Sequence, residues 1–517
     1  MTGAPGPALT RESRARNLER LERETFDVLV LGGGINGAGV ARDLALRGVK
    51  VALVEQRHFA SGTSGKNSQL IHGGLRYLKQ LRFRLVREAL RERAALLKLA
   101  PHLVTPQPFL IPLYGWTARL FYGTGLKLYD LLAGRGNLSP HRVLSRDEVA
   151  KIEPEMSLEG LTHGAIFFDC RVHSARFVLE NIWDAARNGA AIVNYARAAR
   201  DNGGVRMTDR LTGRSFPVRA AKLVDTTGAW AAGDALRLVR GSHIVIPRVN
   251  ASDNAIAWFD SSGRIVFVIP WGGAGQLSLV GTTDVEHTTG PDDVHISPEE
   301  LDYLLGVVRR LFPDARQVTP ISTFSSLRPL VRKGTESATR ASREHRIWMD
   351  DAGTVHVAGG KYTTYRAMSE EAANLLSTTP SVTATTPLGG NTKDRIDELL
   401  LDAETVAAKH RLTAAEVRRL IRQYGAQAAK VMEYLPEHGR EGLTRMECAQ
   451  IAFAVEHEMA MELADVMYVS TYWGYERAWT EENLLPLARD MGQHLGWDEE
   501  EMATAVRKTL PTGFARF

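Results

Sequence analysis

Short apolar runs separated by glycine turns organise the first part of the chain. Residues 28–31 are apolar, glycines follow, residues 35–47 have helical spacing, and residues 51–54 form a second apolar run after Gly48. A strand, a turn, a helix and a second strand in this order form a βαβ unit. Similar apolar runs recur further along, at 192–193, 223–224, 265–269, 277–280 and 354–358, between helical stretches at 174–188 and 364–376. The pattern predicts α/β and α+β parts in one large unit.

Helical spacing dominates beyond residue 392, and it predicts helices at 396–410, 413–434 and 445–467. The turn at 387–390 marks the predicted domain boundary. Charged residues run through 1–24, which predicts a polar N-terminal extension that is mobile or forms a short charged helix. The expected division is therefore 1–24, 25–390 and a helical C-terminal domain at 391–517.

Composition excludes several functional classes. The net charge of +4, from 64 basic and 60 acidic residues, is too small to predict nucleic-acid binding. Two cysteines, Cys170 and Cys448, provide no disulfide framework or cysteine-rich metal site, so we expect no metal and a reducing compartment. Residues 1–24 have no apolar segment typical of a secretory signal. The charge-free stretch most worth testing for a membrane span, 101–118, carries four prolines and is not expected to cross a bilayer.

A glycine motif follows the first predicted strand. Gly32, Gly34 and Gly37 occupy the three positions of GxGxxG, with Asn36 between the last two, and Glu55 ends the next strand. The glycines allow a tight turn, close approach of a pyrophosphate and close packing of the helix, whose N-terminus favours anions. Glu55 lies where an acid accepts ribose hydroxyls. The sequence predicts a dinucleotide site, and this spacing alone does not choose between FAD and NAD.

Small polar residues supply further candidate cofactor contacts. The stretch 58–72 contains Thr63, Ser64 and Ser68, and it is suited to wrap an extended cofactor or to form an ordinary surface loop. Two more strands end in glycine turns, at 225–228 with Gly228 and at 358–361 with Gly359, Gly360 and Lys361. Three such turns in a parallel sheet are able to converge on one ligand.

Five sequence blocks carry a family resemblance. They occur in order at 32–37, 71–78, 241–245, 281–284 and 359–366. Together they resemble the FAD-dependent glycerol-3-phosphate dehydrogenases from about residue 26 to 376, and more loosely through the C-terminal part. The resemblance implies a glutathione-reductase-like, Rossmann-type FAD-binding domain, an interleaved substrate domain mainly at 100–150 and 236–345, and an α-helical C-terminal cap domain. It adds His72, Gly73, Gly74 and Thr363 to the candidate FAD contacts.

The same resemblance implies oxidation of sn-glycerol 3-phosphate to dihydroxyacetone phosphate, with electrons passing from FAD to a membrane quinone. Arginine suits phosphate oxygens. The candidates are Arg76 and Lys361 within the five blocks, with Tyr77 beside Arg76, and Arg328 and Arg343 in two further segments that the resemblance covers, 326–329 and 342–345. His243 is the candidate base, because an imidazole starts with a pKa near working pH. Arg328 and Lys361 are expected to support the developing alkoxide, and Lys361 remains a rival base.

A quinone acceptor requires contact with lipid. Residues 79–98 carry seven Lys or Arg beside an apolar helical stripe, and residues 114–132 add aromatic residues. Such segments suit a membrane interface, although packing of their apolar sides into the core explains them equally well. The quinone requirement favours peripheral contact with the cytoplasmic face of the membrane, and a homodimer is a further expectation.

The chain departs from the family pattern at three places: Asp225 where asparagine is frequent, Gly65 and Lys66 where serine and alanine are common, and residues 468–471 where an Arg-Arg-Thr is often found. Three alternative functions remain open at this stage. An oxygen-using glycerol-phosphate oxidase would use the same site, although such enzymes usually carry an insertion that is missing here. A flavin oxidase of amino or hydroxy acids would also use arginines, and a flavin-binding membrane scaffold would show no turnover.

Overall fold

The computed structural model describes residues 9–78, 81–201, 204–231, 236–260, 262–273, 275–331 and 345–510. The predicted phosphate ligand Arg343 lies outside the described residues, and so does the side chain of Arg76.

Eighteen strands lie within the described residues. In chain order they are β1 (Thr25–Leu31), β2 (Val51–Val54), β3 (Leu70–Ile71), β4 (Val104–Tyr114), β5 (Arg142–Ser145), β6 (Leu161–Val172), β7 (Ala191–Val193), β8 (Ala196–Asp201), β9 (Gly204–Asp209), β10 (Ser215–Asp225), β11 (Leu236–Pro247), β12 (Ala255–Phe259), β13 (Ile265–Trp271), β14 (Leu277–Gly281), β15 (Val285–Glu286), β16 (Ser322–Val331), β17 (His345–Met349) and β18 (Thr354–Gly359).

Seventeen α-helices lie within the same described ranges. They are α1 (Arg11–Arg23), α2 (Ile35–Leu46), α3 (Phe83–Leu99), α4 (Trp116–Ala133), α5 (Arg146–Ile152), α6 (Ser174–Arg187), α7 (Pro298–Leu311), α8 (Tyr365–Asn374), α9 (Lys393–Leu401), α10 (Ala403–His410), α11 (Ala414–Tyr424), α12 (Ala428–Met432), α13 (Arg445–Glu458), α14 (Leu463–Asp465), α15 (Trp473–Glu476), α16 (Glu481–Leu495) and α17 (Glu499–Thr509). In the part of the chain that is described, none of the helices has the length and apolar composition needed to cross a bilayer.

The first sheet is the predicted Rossmann-type core. Its strands follow the order β17-β18-β10-β1-β2-β7, and the pairs from β18 to β7 are parallel. Val28 and Val30 of β1 face α2, which packs against α6 and α8, whereas Leu29 faces the opposite side. Because β1, β10 and β18 are parallel, their carboxyl ends and the glycine turns that follow them meet at one edge of the sheet.

The second sheet is a ten-stranded, mainly antiparallel layer. Its order is β15-β11-β14-β13-β12-β4-β6-β3, with β16 paired to β11 and β5 to β6. The predicted substrate segments 100–150 and 236–345 supply most of it. The sheet also contains β6, which lies outside these two segments and pairs with β4 from Val104 to Tyr114.

The C-terminal part is helical, as the fold prediction states, but its helices are shorter than expected. The predicted helix 396–410 is divided between α9 and α10 at Asp402, and 413–434 is interrupted at Gly425, which has a φ of 56°. The helix expected at 445–467 ends at Glu458, because Met459 takes the left-handed conformation. These helices enclose two hydrophobic clusters of their own.

The N-terminal helix α1 packs on the first sheet. Arg14 is buried and donates to Asp209 at 2.6 Å and to the carbonyl of Asn194 at 2.9 Å, and the Asn17 amide donates to the carbonyl of Ile192. Leu21 completes the hydrophobic cluster on that face of the sheet. Of the two forms expected for residues 1–24, the structure has a charged helix over residues 11–23, held by buried polar contacts.

Candidate active site

A cavity of about 520 Å³ lies between the two sheets, at the carboxyl ends of β1, β10 and β18. The predicted site residues that line it are Gly32, Gly34, Asn36, Glu55, Thr63, Ser64, Ser68, His72, Gly74, Tyr77, Gly228, His243, Arg328, Gly359, Gly360 and Lys361. All three glycine turns contribute, so the topology brings together segments that lie more than 300 residues apart. The cavity has a nucleotide end, at the glycine motif, and a reaction end, at His243.

Glycine is required at the nucleotide end because the backbone turns are in close contact. Gly32 has a φ of 103°, and a Cβ at this residue would lie 2.8 Å from the carbonyl oxygen of Thr226. A Cβ on Gly37 would lie 1.9 Å from the carbonyl oxygen of Gly32. The Thr226 amide also donates to the carbonyl of Leu31 at 3.0 Å. The β1 and β10 turns are therefore joined, and the N-terminus of α2 stays open towards the cavity.

Glu55 is fixed beside this turn by two backbone amides. One carboxylate oxygen accepts from Gly33 at 2.6 Å and the other from Arg57 at 2.8 Å. Burial raises the pKa of Glu55, and the two amide donors act in the opposite direction. The carboxyl group therefore has a fixed orientation at the cavity wall, at the place where the motif predicts a ribose.

The loop at residues 61–69 connects the nucleotide end to the reaction end. The Ser64 hydroxyl accepts from the Ile35 amide at 2.9 Å, in the first turn of α2. The Thr63 hydroxyl donates to the carbonyl of Leu327 in β16 at 2.6 Å. At the far end of the loop, Ser68 contacts His243. The hydroxyls of Thr63, Ser64 and Ser68 therefore line the cavity, and each also forms a hydrogen bond within the protein.

His243 lies at the reaction end, on β11 between β14 and β16. Its neighbours across the sheet are Gly281 and Phe324, and its ring stacks on Phe324 with centroids 4.8 Å apart. A Cβ on Gly281 would lie 2.1 Å from the imidazole, so the adjacent glycine makes room for the ring. The Nε2 atom is 2.9 Å from the Ser68 hydroxyl, and Nδ1 has no hydrogen-bond partner among the described residues.

The protonation state of His243 follows from this environment. Burial is the larger cause and the Arg328 cation the smaller, and together they lower the pKa of His243 to about 3. A buried imidazole beside a cation is neutral at neutral pH. It is therefore able to accept a proton from a bound group.

Two cations accompany His243. Arg328 on β16 forms an ion pair with the buried carboxylate of Asp284 at 3.0 Å and donates to Thr282 and Thr283. The Nζ atom of Lys361 lies 3.9 Å from the centre of the Tyr77 ring, and Lys361 lines the same cavity. Charged donors of this kind attract phosphate or carboxylate groups.

Comparison with known proteins identifies the family. A family model described as FAD dependent oxidoreductase matches residues 27–375, and one described as the C-terminal domain of alpha-glycerophosphate oxidase matches residues 381–502. A glycerol-3-phosphate dehydrogenase of Synechocystis sp. is 34% identical, over 95% of this chain and 97% of its own length. An alpha-glycerophosphate oxidase of Streptococcus pyogenes serotype M6 is 29% identical, with 95% of both chains covered.

A solved structure agrees with these relatives. The glycerol-3-phosphate dehydrogenase from Bacillus halodurans, complexed with FAD, has a TM-score of 0.79 at 27% identity, with 97% of this chain and 96% of that chain covered. The chain belongs to the FAD-dependent glycerol-3-phosphate dehydrogenase family. The predicted family, the fold class and the FAD cofactor are thereby confirmed.

The residues of this family member fit FAD. The glycine cradle at Gly32 and Gly37 leaves the approach to α2 open, as a pyrophosphate requires, and Glu55 is oriented for a ribose. The glycine turn of β18 then lies at the reaction end, where Gly360 has a φ of 83°. FAD therefore has a place for its pyrophosphate, its ribose and its redox-active end.

Three residues predicted to contact FAD lie behind the cavity wall. Gly37 packs under the first turn, the Gly73 amide donates to the Tyr129 hydroxyl at 3.0 Å, and the Thr363 hydroxyl accepts from the His72 amide at 3.1 Å. None of the three is among the residues that line the described cavity. They shape the turns that carry the lining residues. The sequence motifs therefore located these turns correctly, but they did not show which residues of each turn face the cavity.

Several cavity residues were missed from the sequence. Asp169 of β6 lines the cavity, accepts from Arg93 at 2.6 Å and from Tyr129 at 2.8 Å, and anchors the turn at Gly73. Trp230, after the β10 turn, lines the cavity as well. An acid directly after the apolar run 166–168 was the available signal for Asp169, because an unpaired carboxylate is rarely buried.

Two of the departures from the family pattern have structural explanations. The Asp225 carboxylate accepts from the amide and hydroxyl of Thr227, so it forms the turn that an asparagine would form as well. A Cβ on Gly65 would lie 2.4 Å from the carbonyl oxygen of Ala60, so this loop requires glycine here. The carbonyl of Lys66 accepts from Ser326, which ties the same loop to β16.

Proposed function

We propose that the protein oxidises sn-glycerol 3-phosphate to dihydroxyacetone phosphate and passes the electrons to a membrane quinone. The observation that carries the proposal is a neutral, buried imidazole beside the Arg328 cation, in an FAD cavity that Lys361 also lines. The names of the dehydrogenase and oxidase relatives support the same substrate. A secondary alcohol on a small phosphorylated molecule needs one proton acceptor and one or more cations for its phosphate.

The chemistry divides between the cofactor and the chain. FAD, when bound, supplies the acceptor for the hydride that leaves carbon 2 of the substrate. We assign the hydroxyl proton to His243, so that the alcohol loses a hydride and a proton and becomes a ketone. Lys361 and Arg328 hold the phosphate and stabilise negative charge on the reacting oxygen. Arg76 and Arg343 remain predicted phosphate ligands.

His243 is the better base of the two candidates. Burial and the Arg328 cation lower its pKa to about 3, which makes it a weaker base than a free imidazole but keeps it in the neutral, accepting form at neutral pH. Its Nδ1 atom also has no hydrogen-bond partner among the described residues. Lys361 lies against the face of the Tyr77 ring, a contact typical of a cationic side chain, and we assign it to the phosphate.

Anaerobic reduction of the bound flavin tests the reaction. Purified protein mixed with sn-glycerol 3-phosphate should lose its oxidised flavin absorbance within one turnover, whereas glycerol, glycine and lactate should leave it unchanged. Reduction by an amino or hydroxy acid, and none by the phosphorylated alcohol, would support the oxidase alternative. A spectrum that no substrate changes would indicate a scaffold without turnover.

The electron acceptor needs its own test, because relatives of both kinds match the chain. We propose a quinone, since the dehydrogenase relative is 34% identical and the oxidase 29%. Reduced protein mixed with a soluble quinone analogue should reoxidise much faster than in air-saturated buffer. Stoichiometric hydrogen peroxide formation at a comparable rate in air would assign oxygen as the acceptor.

We propose that the protein contacts the cytoplasmic face of the membrane peripherally, and an exposed apolar face on α4 supports the contact. Leu120 and Leu131 are 75% and 76% exposed, and they lie on one side of the helix, three turns apart. Phe121 is exposed as well, whereas Tyr129 is buried in the core, so the aromatic residues of this segment divide between the two predicted roles. Exposed leucines beside basic residues such as Lys127 are typical of an interfacial helix.

Co-sedimentation with anionic phospholipid vesicles tests this surface. Replacing Leu120 by glutamate should lower the bound fraction, since it removes apolar area worth roughly 1.5–3 kcal/mol and adds a negative charge. Leu401→Glu is the matched control, because Leu401 is 84% exposed on α9 of the C-terminal domain. Equal losses from both variants, or from neither, would contradict a specific role for α4.

A further inference from the structure

A short aromatic segment of the C-terminal domain lies behind the reaction end of the cavity. Tyr472 precedes α15, Tyr475 lies within it, and both side chains are buried. Neither lines the cavity described above, so neither is placed to touch the substrate or FAD. Their contacts nevertheless lead to the two groups that surround the imidazole of His243.

The first contact passes through an aromatic ring. The Tyr475 ring lies 4.7 Å from that of Phe324, centroid to centroid, and Phe324 stacks on His243 at 4.8 Å with the ring planes 14° apart. The hydroxyl of Ser322, at the start of β16, donates to the carbonyl of Tyr475 at 2.7 Å. Tyr475 is thus joined to β16 by its side chain and by its backbone, and it contacts the ring on which His243 stacks.

The second contact passes through the loop at residues 61–69. The Tyr472 hydroxyl donates to the side-chain oxygen of Gln69 at 3.0 Å, accepts from the amide of Ala175 at 2.8 Å, and lies 3.0 Å from the hydroxyl of Ser174. Gln69 directly follows Ser68, whose hydroxyl is 2.9 Å from Nε2 of His243. Tyr472 therefore fixes the residue next to the imidazole's hydrogen-bond partner.

The backbone of Tyr472 has an unfavourable conformation that the contacts of its side chain stabilise. Tyr472 has a φ of 72°, a left-handed conformation that costs a non-glycine residue roughly 1–3 kcal/mol. Its ring stacks on His173 with centroids 3.9 Å apart and planes at 10°. The stack and the three hydrogen bonds offset that cost, and they hold the hydroxyl in one position.

We propose that Tyr472 and Tyr475 are positioning residues, through which the C-terminal domain holds His243 in its reactive geometry. Tyr475 acts on the ring through Phe324, and Tyr472 acts on its hydrogen-bond partner through Gln69. The inference rests on the proposed function, since it requires His243 to take part in substrate oxidation. It gives the C-terminal domain a role in the reaction although no residue of this pair reaches the cavity.

Stopped-flow reduction of the FAD-loaded protein by sn-glycerol 3-phosphate separates positioning from binding. Tyr475→Leu removes the ring against Phe324, and the limiting rate of reduction should fall by about 10-fold or more, because small displacements of reacting groups cost up to about 100-fold. FAD content and the substrate concentration at half-maximal rate should change by less than a factor of about two, since the cavity lining is unaltered.

Two phenylalanine variants give opposite expectations within the same segment. Tyr475→Phe keeps the ring and should retain the wild-type limiting rate. Tyr472→Phe removes only the hydroxyl that fixes Gln69, and it should lower the limiting rate several-fold while the protein stays folded. Because Tyr472→Phe loses only one oxygen atom, we expect it to fold. It therefore tests the inference even if Tyr475→Leu fails to fold.

Phe453→Leu is the control for general destabilisation. Phe453 is a buried ring of the C-terminal domain that packs on Tyr424, in a cluster that does not include Phe324 or Tyr475. The Phe453→Leu substitution should lower the melting temperature of the protein and leave the limiting rate of flavin reduction unchanged. An equal loss of rate in Phe453→Leu, or wild-type rates in both Tyr475→Leu and Tyr472→Phe, would overturn the inference alone. A wild-type flavin that the substrate does not reduce would contradict the proposed function, and the inference with it.

Discussion

The two ends of the cavity are built in different ways. At the nucleotide end, residues 32–37 form one continuous turn, and their contribution is backbone shape at Gly32 and Gly37. At the reaction end, His243, Arg328 and Lys361 come from three separate strands or turns, and their contribution is side-chain chemistry. The first end depends on the absence of side chains, and the second on their presence.

This difference separates two kinds of failure. A side chain added at the nucleotide end should prevent cofactor binding, because no neighbouring group is able to move away from a backbone clash. A side chain removed at the reaction end should leave the yellow protein intact and lower its rate. Variants that mix these outcomes would show that the two ends are coupled more closely than the structure indicates.

The largest effect is expected from Gly37→Ala. Its Cβ would lie 1.9 Å from the carbonyl oxygen of Gly32, so the turn has to open, and we expect nearly complete loss of bound FAD. The ratio of flavin to protein absorbance in purified protein measures this. Gly306→Ala is the control, because a Cβ on that helical glycine meets nothing within 4 Å. Full flavin content in Gly37→Ala would show that the cradle does not depend on this contact.

His243→Ala should have the next largest effect. We expect normal flavin content and a limiting rate of flavin reduction lower by about 100-fold or more, as is usual for removal of a general base. The flavin spectrum before and after anaerobic addition of substrate gives both quantities. A near-native rate would remove His243 from the mechanism, and loss of FAD would show that the imidazole is needed for the nucleotide end too.

Lys361→Met should mainly weaken binding. Loss of a charged hydrogen bond to phosphate costs about 1.5–3 kcal/mol, so the substrate concentration at half-maximal reduction should rise by about 10- to 100-fold. The limiting rate at saturating substrate should fall much less, and Lys361→Arg should restore most of the affinity. The opposite split, with unchanged affinity and a lost limiting rate, would place Lys361 at the reacting oxygen, as charge stabiliser or as base, and not at the phosphate.

The same contrast explains what the sequence could predict. The nucleotide end is local, so the order of strand, glycines and helix was enough to place it, and Glu55 followed from the next strand. The reaction end depends on β11, β14 and β16 lying side by side, and the β11–β16 pairing alone joins His243 to Phe324, 81 positions away. The family resemblance pointed to His243, which lies in one of the five blocks, and to Arg328, which lies outside them. Asp169, Tyr129, Tyr472 and Tyr475 act through contacts between distant elements, which no local pattern records.

The smallest change should come from pH in the wild-type protein. Burial and the Arg328 cation lower the pKa of His243 to about 3, so the accepting, neutral form is present above that pH and is lost only as the pH falls through it. The limiting rate of flavin reduction should therefore stay nearly constant from pH 8 to about pH 5, where an imidazole of ordinary pKa, about 6.5, would already have lost most of its neutral form. Stopped-flow pH jumps, too brief for acid unfolding, measure this.

The Tyr472→Phe protein is a useful comparison, because looser packing that admits water to His243 would raise the pKa of His243 and move the loss of rate to higher pH. A wild-type profile that falls near pH 6.5 would mean that the imidazole is solvated when the substrate binds, and that the reaction end is far less enclosed than the nucleotide end.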